Sequence, residues 1–379
     1  MARTRVGNSN VTRVTRGVRA PARRSKGDSM GQDGIPSSID DITAGWISEV
    51  TGFEVESLTA EQIGMGIGVS SALYRLSLHG PNCPQTIVVK LPALDEAAVF
   101  TSTMLRMYHR EVAFFHELAE QVPVRVPVAY YGDVADDMSD FVVLMEDLGS
   151  LRLVDQLVGM SLTDAETAVD RLAAWHAAWW GRGDRLAERG IAVSLADPVY
   201  PAVLPMVFAE GWEKVTSELD VQPQILGIGP KFADAIPRLL ADLASGTNTL
   251  IHGDYRADNI LFDAHGAVAL LDFQLIGSGS GMYDLAYFVT QSLDVAVATE
   301  NERALFDRWI DGIRKAGVSD VDVDLSWHHY RTAALFCLVY PIVASRGMDL
   351  TNPRELNLIE CMNSRFSRAI DDLALNELI

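Results

Sequence analysis

Two polar stretches only twelve residues apart, "HGDYRADN" (252–259) and "DFQ" (272–274), constrain this chain more than any other feature. Each borders a short apolar run of strand length, "NILF" (259–262) after the first and "AVALLDF" (267–273) leading into the second. Two such runs so close together read as a hairpin, and the hairpin brings Asn259 and Asp272 side by side. An amide oxygen and a carboxylate are hard oxygen ligands of the kind Mg²⁺ accepts.

A chain of 379 residues has room for two lobes around that hairpin rather than one ordinary core. Residues 37–145 read as a small α+β unit. Its first strands are "SSALYRLSL" (70–78) and "TIVVKL" (86–91), and two more lie near 126–131 and 140–145. Between the pairs, Met104, Tyr108, Val112, Phe115 and Leu118 recur at helical spacing and predict one long helix over about 95–120. Residues 146–150 form a connector, and 151–379 read as mainly helical. "TDAE" (163–166) fits a capping box of Thr163 with Glu166. Further helices are expected at about 199–219, 231–245, 282–293, 300–317, 325–345 and 353–376. No apolar stretch reaches the roughly 18 residues of a spanning helix.

Residues 1–30 hold seven arginines and Lys26 against Asp28, a net +7 that leaves −27 for the remainder of the total −20. So acidic a body repels phosphate backbones, which excludes nucleic acid as the main partner, and nothing indicates a protein partner. Residues 1–36 have no pattern that joins a core and are expected to be a disordered basic tail. Cys83, Cys337 and Cys361 have neither disulfide-framework nor zinc spacing, which favours a reducing cytoplasm.

Four residues separate Asp254 from Asn259, the spacing of a phosphoryl-transfer loop in which the aspartate takes the acceptor hydroxyl's proton and the asparagine binds Mg²⁺. Upstream, "GMGIGVSS" (64–71) places Gly64, Gly66 and Gly68 where bare backbone amides can approach phosphate, with Ser70 and Ser71 behind them. Lys90 ends an apolar strand and needs a partner, for which Glu111 on the next helix is suited.

These elements, together with "HGDYRADNILF", "DFQ" and "YDLAYF", resemble the aminoglycoside phosphotransferase and choline kinase superfamily, most closely its ecdysteroid-kinase-like (CHK) branch. The resemblance covers about 55–350. It implies an α+β, bilobal protein-kinase-like fold, with a small N-lobe holding an antiparallel sheet and one long helix, and a larger, mainly helical C-lobe. It implies ATP and Mg²⁺ as cofactors, Asp254 as base, Asn259 and Asp272 as metal ligands, and Lys90 with Glu111 as the phosphate anchor. Residues 145–148, with Met145, Glu146 and Leu148, become the adenine hinge. Arg256 stands where protein kinases place a lysine and is assigned charge stabilisation. Only ten residues separate Phe273 from Asp284, too few for a peptide-docking segment, so the partner is a small hydroxylated acceptor.

His252 and Asp284 read as structural, the latter as an anchor for loop amides. Asp258 and Asp263 read as solvated, and His176 as part of a buried helix face or of an acceptor pocket. Residues 325–348 contain no Asp or Glu, which favours a neutral or apolar acceptor over a polycation. A cationic acceptor of aminoglycoside or choline type, and an inactive nucleotide-binding scaffold, are the alternatives.

Overall fold

The computed structural model describes residues 34–64 and 70–379. Its first part is a five-stranded antiparallel sheet of β1 (Ser57–Ile63), β2 (Ser71–His79), β3 (Thr86–Pro92), β4 (Ala129–Val134) and β5 (Phe141–Glu146), in the order β1-β2-β3-β5-β4. β3 is apolar along its length because both faces are covered. Ile87, Val89 and Leu91 share a core with Trp46 and Ile47 of α1 (Ala44–Thr51). Val88 points the other way, into a core with Tyr108, Val112 and Phe115. Strand alternation therefore puts Lys90 on the Val88 face, towards the helix that carries Glu111.

Residues 1–33 of the expected tail lie outside the described residues, and Ile35, which that expectation also included, packs with Ile42 and Trp46 in the first core. β1 was not expected: it is an edge strand whose "SLTAEQI" lacks alternation because little of it is buried.

The single helix expected over 95–120 is two, α2 (Glu96–Met104) and α3 (Met107–Glu117), broken where Arg106 adopts a left-handed φ of 55°. The break has a local partner: Arg110 is fully buried and donates from Nη2 to the freed Leu105 carbonyl at 2.9 Å. Its Nη1 reaches the Ile276 carbonyl at 3.2 Å and the Tyr200 hydroxyl at 3.0 Å, both in the second part of the chain.

The second part is helical around two small sheets. β6 (Arg152–Leu153), β9 (Ile260–Phe262) and β10 (Val268–Leu270) form one, in the order β10-β9-β6. β7 (Val193–Ser194), β8 (Thr249–Ile251) and β11 (Gly277–Gly279) form the other, in the order β7-β11-β8. The helices are α4 (Leu162–Ala178), α5 (Gly183–Glu188), α6 (Val199–Glu218), α7 (Pro223–Leu243), α8 (Met282–Ser292), α9 (Val295–Lys315), α10 (Val323–Phe336), α11 (Val339–Ala344) and α12 (Pro353–Asp372).

α4 is capped by Ser161, whose hydroxyl accepts from the Asp164 amide, and not by the expected Thr163–Glu166 box. Glu166 instead lies 3.3 Å from Arg308 of α9. The stretch 325–345 also divides, at Cys337 and Leu338, ahead of Pro341, which has no amide to continue the ladder. Among the described residues no helix is long and apolar enough to cross a membrane.

Candidate active site

Lys90 arrives from β3, Glu111 from α3 and Asp272 from the segment after β10. Lys90 Nζ lies 2.7 and 2.9 Å from the two carboxylate oxygens of Glu111 and 3.1 Å from Asp272 Oδ1. Lys90 and Glu111 are buried, and the Asp272 side chain is 25% exposed, so the ion pair is closed on the sheet side and open towards the cleft. Burial alone pushes the Lys90 ammonium down, but Asp272 and Glu111 outweigh it and hold the group charged.

Asp272 has a φ of 62°, a left-handed conformation that a carboxylate side chain tolerates better than most. The next residue fixes it there. The Phe273 ring is fully buried, stacked on Phe114 at 3.7 Å with an interplanar angle of 12°, and its amide faces Glu111 Oε1.

The Asp254 loop lies between β8 and β9. The two N–H groups of Asn259 Nδ2 go to Asp254 Oδ2 (2.8 Å) and to its carbonyl (2.9 Å), which leaves Asn259 Oδ1 as an open acceptor. Leu270 pairs with Ile260, and the Leu271 amide donates to the Asn259 carbonyl, so the hairpin brings Asn259 and Asp272 together as the sequence led us to expect. Arg256 packs its guanidinium on Asp254 at 3.2 Å, on Asp258 at 3.0 Å and on Gln156 Oε1 at 3.3 Å. Burial lowers its pKa, but Asp254 and the other surrounding carboxylates raise it further, and the group is a fixed cation.

Asp258 is therefore not solvated as expected. Its side chain is 7% exposed, it also accepts from the Gln156 amide, and burial pushes its carboxyl above the usual range. Asp263 accepts the His265 and Ala267 amides in the hairpin turn.

Asp284, in the first turn of α8 and fully buried, accepts from the amides of His252 (2.7 Å) and Gly253 (2.8 Å). The same carboxylate meets His176 Nε2 at 3.0 Å. Because the Trp309 indole can only donate, His176 Nδ1 is its acceptor at 3.1 Å and the ring proton is on Nε2. His176 thus belongs to a buried relay under the loop, not to a pocket. His252 Nε2 contacts the Leu271 carbonyl at 3.0 Å, and burial lowers the ring's pKa.

Gly253 explains why this loop reads His-Gly-Asp. Its φ is +83°, and a Cβ there would stand 2.1 Å from the Leu275 carbonyl oxygen. Replacing Gly253 with Ala is expected to destabilise the protein by about 3 kcal/mol in urea unfolding and to abolish activity with it. An unchanged midpoint would contradict this packing.

The connector expected to be the hinge follows β5. Glu146 pairs its side chain with Arg125 at 2.8 Å, and its amide donates to Val128 within the sheet beside Met145. Asp147 takes Arg75 Nε at 2.8 Å and the Gly149 amide at 2.9 Å. Burial would raise its carboxyl, but the Arg75 bond and those that follow bring it below the usual value. The Leu148 amide makes no hydrogen bond among the described residues, an open donor at the place expected to meet adenine.

Of the glycine-rich stretch, Gly66 and Gly68 lie outside the described residues. Gly64 directly follows β1 with a φ of 69°, Ser71 begins β2 opposite Pro92, and the Ser70 hydroxyl accepts from Gln274 Nε2 at 2.6 Å. Gln274 and Arg110 are residues that sequence reasoning passed over. The first lay inside the quoted "DFQ" and the second beside Glu111, but neither spacing nor periodicity shows what a side chain bridges.

A two-lobed α+β body with a lysine–glutamate pair in the sheet and an Asp-loop-Asn hairpin below it defines a protein-kinase-like phosphotransferase, one that acts on an alcohol group. Residues 68–317 match the model of the phosphotransferase enzyme family (APH), and the chain belongs to that family. Its fold is shared with a choline kinase from Cryptosporidium parvum Iowa II, at a TM-score of 0.51, 11% identity, and 83% of this chain against 88% of the other. An ethanolamine kinase from Plasmodium vivax gives a TM-score of 0.51, 10% identity, and 82% against 81%. An aminoglycoside 2'-phosphotransferase-IIIa mutant in complex with GDP gives 0.50, 17% identity, and 84% against 95%. No curated protein sequence matches the chain.

Proposed function

We propose that this protein transfers the γ-phosphoryl group of ATP to a hydroxyl of a small, neutral or apolar acceptor in the cytoplasm, as a member of the ecdysteroid-kinase-like branch of its family. The observation that carries the reading is the convergence of Lys90 from β3, Asp272 from the segment after β10, and Asp254 with Asn259 from the loop between β8 and β9. An inactive scaffold has no use for that convergence.

Lys90, oriented by Glu111, holds the α and β phosphates, with the hinge from Met145 to Leu148 seating the base. Asn259 Oδ1 and the Asp272 carboxylate suit Mg²⁺, and no cluster of three or more His, Cys, Asp or Glu is available for it among the described residues. Two protein ligands fit an ion that takes its remaining ligands from phosphate and water. When bound, Mg²⁺ neutralises phosphate charge. Asp254 accepts the acceptor's hydroxyl proton, and Asn259 Nδ2, which holds its Oδ2, fixes the direction of the carboxylate. Arg256 offsets charge on the transferring group. The chemistry asks for little more than position and charge.

A neutral acceptor is favoured by what surrounds Asp254. Tyr340 Oη lies 3.1 Å from the Gly253 carbonyl and 2.6 Å from Tyr283 Oη, and the Tyr287 ring stacks on Tyr340 at 3.8 Å. This side of the loop is aromatic and hydroxylic, and residues 325–348 add no Asp or Glu, so a polycation that needs several carboxylates does not find them there, whereas a single ammonium can still meet a ring face. Glu210 of α6, a conceivable partner for a cation, is already paired with Arg346 at 2.6 Å. In a panel scored by acceptor-dependent ADP release, hydroxylated apolar compounds should outperform kanamycin and choline. Saturable kanamycin phosphorylation at micromolar concentration, with no response to any apolar alcohol, would return the acceptor to the aminoglycoside class.

A further inference from the structure

Gln274 holds the position next to Asp272 and Phe273, yet the proposed transfer gives it no part. Its side chain is buried, with 6% of the residue exposed, and spans the two lobes. Nε2 donates to Ser70 Oγ at 2.6 Å, while its backbone amide faces Asp272 Oδ1 at 3.4 Å. Ser70 stands at the end of the glycine-rich stretch, directly before β2, and it is held from other sides as well. Its carbonyl accepts from the Tyr108 hydroxyl of α3 at 2.8 Å and from the Ser102 hydroxyl of α2 at 3.4 Å.

The other end of the same amide is out of balance. Gln274 Oε1 is buried and has no hydrogen-bond partner among the described residues. A buried amide oxygen without a donor is a cost that alanine or glycine at this position would remove. The residue is therefore poorly explained by stability. What it does achieve is a fixed distance between the segment that carries Asp272 and the end of the glycine-rich stretch.

We propose that Gln274 is a positioning residue for the nucleotide, which clasps Ser70 so that the start of β2 and the Asp272 segment keep one fixed spacing beside the phosphates. The inference rests on the assignment of Asp272 to the nucleotide site. It requires that nucleotide affinity depend on the Gln274–Ser70 bond as a unit, and that stability not fall with it.

The test is MgATP binding, measured by displacement of a fluorescent ATP analogue from the full chain, beside a melting curve for each variant. Gln274→Ala and Ser70→Ala are each expected to weaken MgATP binding by about tenfold, the loss of one well-formed buried hydrogen bond. The double variant should be no weaker than either single one. Ser70→Thr, which keeps the hydroxyl, should restore most of the affinity. The melting temperature of Gln274→Ala should equal or exceed that of the wild type. Additive effects, affinity within twofold of wild type, or a fall in melting temperature parallel to the loss of affinity would each overturn the clasp. Unchanged MgATP binding in Asp272→Asn would instead remove the site assignment beneath it, whatever Gln274 does.

Discussion

Asp254→Asn is expected to lower turnover by about a thousandfold while MgATP affinity stays within a few-fold of wild type. Asparagine has the size of the residue it replaces, and its oxygen can still accept from Asn259 Nδ2 or from Arg256, the two groups that hold Asp254 now. What is lost is the ability to take a proton. Steady-state kinetics with the best acceptor of the panel, beside a nucleotide-binding assay, separates the two. Turnover within a few-fold of wild type would remove Asp254 from the base role. Equal loss of turnover and of nucleotide binding would mean that the loop itself had collapsed.

The second large effect is expected at Asp272. Asparagine is the informative replacement because it tolerates the left-handed backbone found there, where alanine adds strain. It also keeps an oxygen for Lys90 Nζ. The Lys90–Glu111 pair, which is buried apart from Asp272, survives the change. With one anionic metal ligand gone, MgATP binding should weaken about a hundredfold, while Mg²⁺-free ATP binding changes far less. Titration of ATP affinity against Mg²⁺ measures this, and an unaltered Mg²⁺ dependence would contradict the assignment of Asp272 and Asn259 to the metal.

The parts of the site that could be read in the sequence are those fixed by short spacing. Asp254, Asn259 and Asp272 belong to one hairpin, whose two apolar runs declare themselves, and Lys90 and Glu111 follow from a strand and the helix after it. Asp284 could be read as an anchor because a buried carboxylate in a first helical turn has few other uses. The misreadings have a common cause. Arg106 breaks a helix at a point of good periodicity, because Arg110 captures the Leu105 carbonyl and so makes the break tolerable. Asp258 looks solvated until Arg256 and Gln156 are folded over it. β1 has no apolar alternation, because an edge strand can be specified by its partner's register alone. In each case the deciding contact is one that neither periodicity nor spacing encodes, whether it lies five residues away, as for Arg110 and Leu105, or 102, as for Gln156 and Asp258.

Arg110 carries a consequence for how the protein assembles. The two Nη groups of its guanidinium meet a carbonyl next door, a hydroxyl 90 residues away and a carbonyl 166 residues away. The sheet half alone can supply only the first. Until the helical half closes, the cation must stay in water or lie desolvated with most of its donors idle, and the second state is prohibitive. Burial of Arg110 with these partners therefore waits for Tyr200 and Ile276 to reach the sheet half. The same side chain that makes the break between α2 and α3 tolerable thus ties that break to the closing of the two halves on each other.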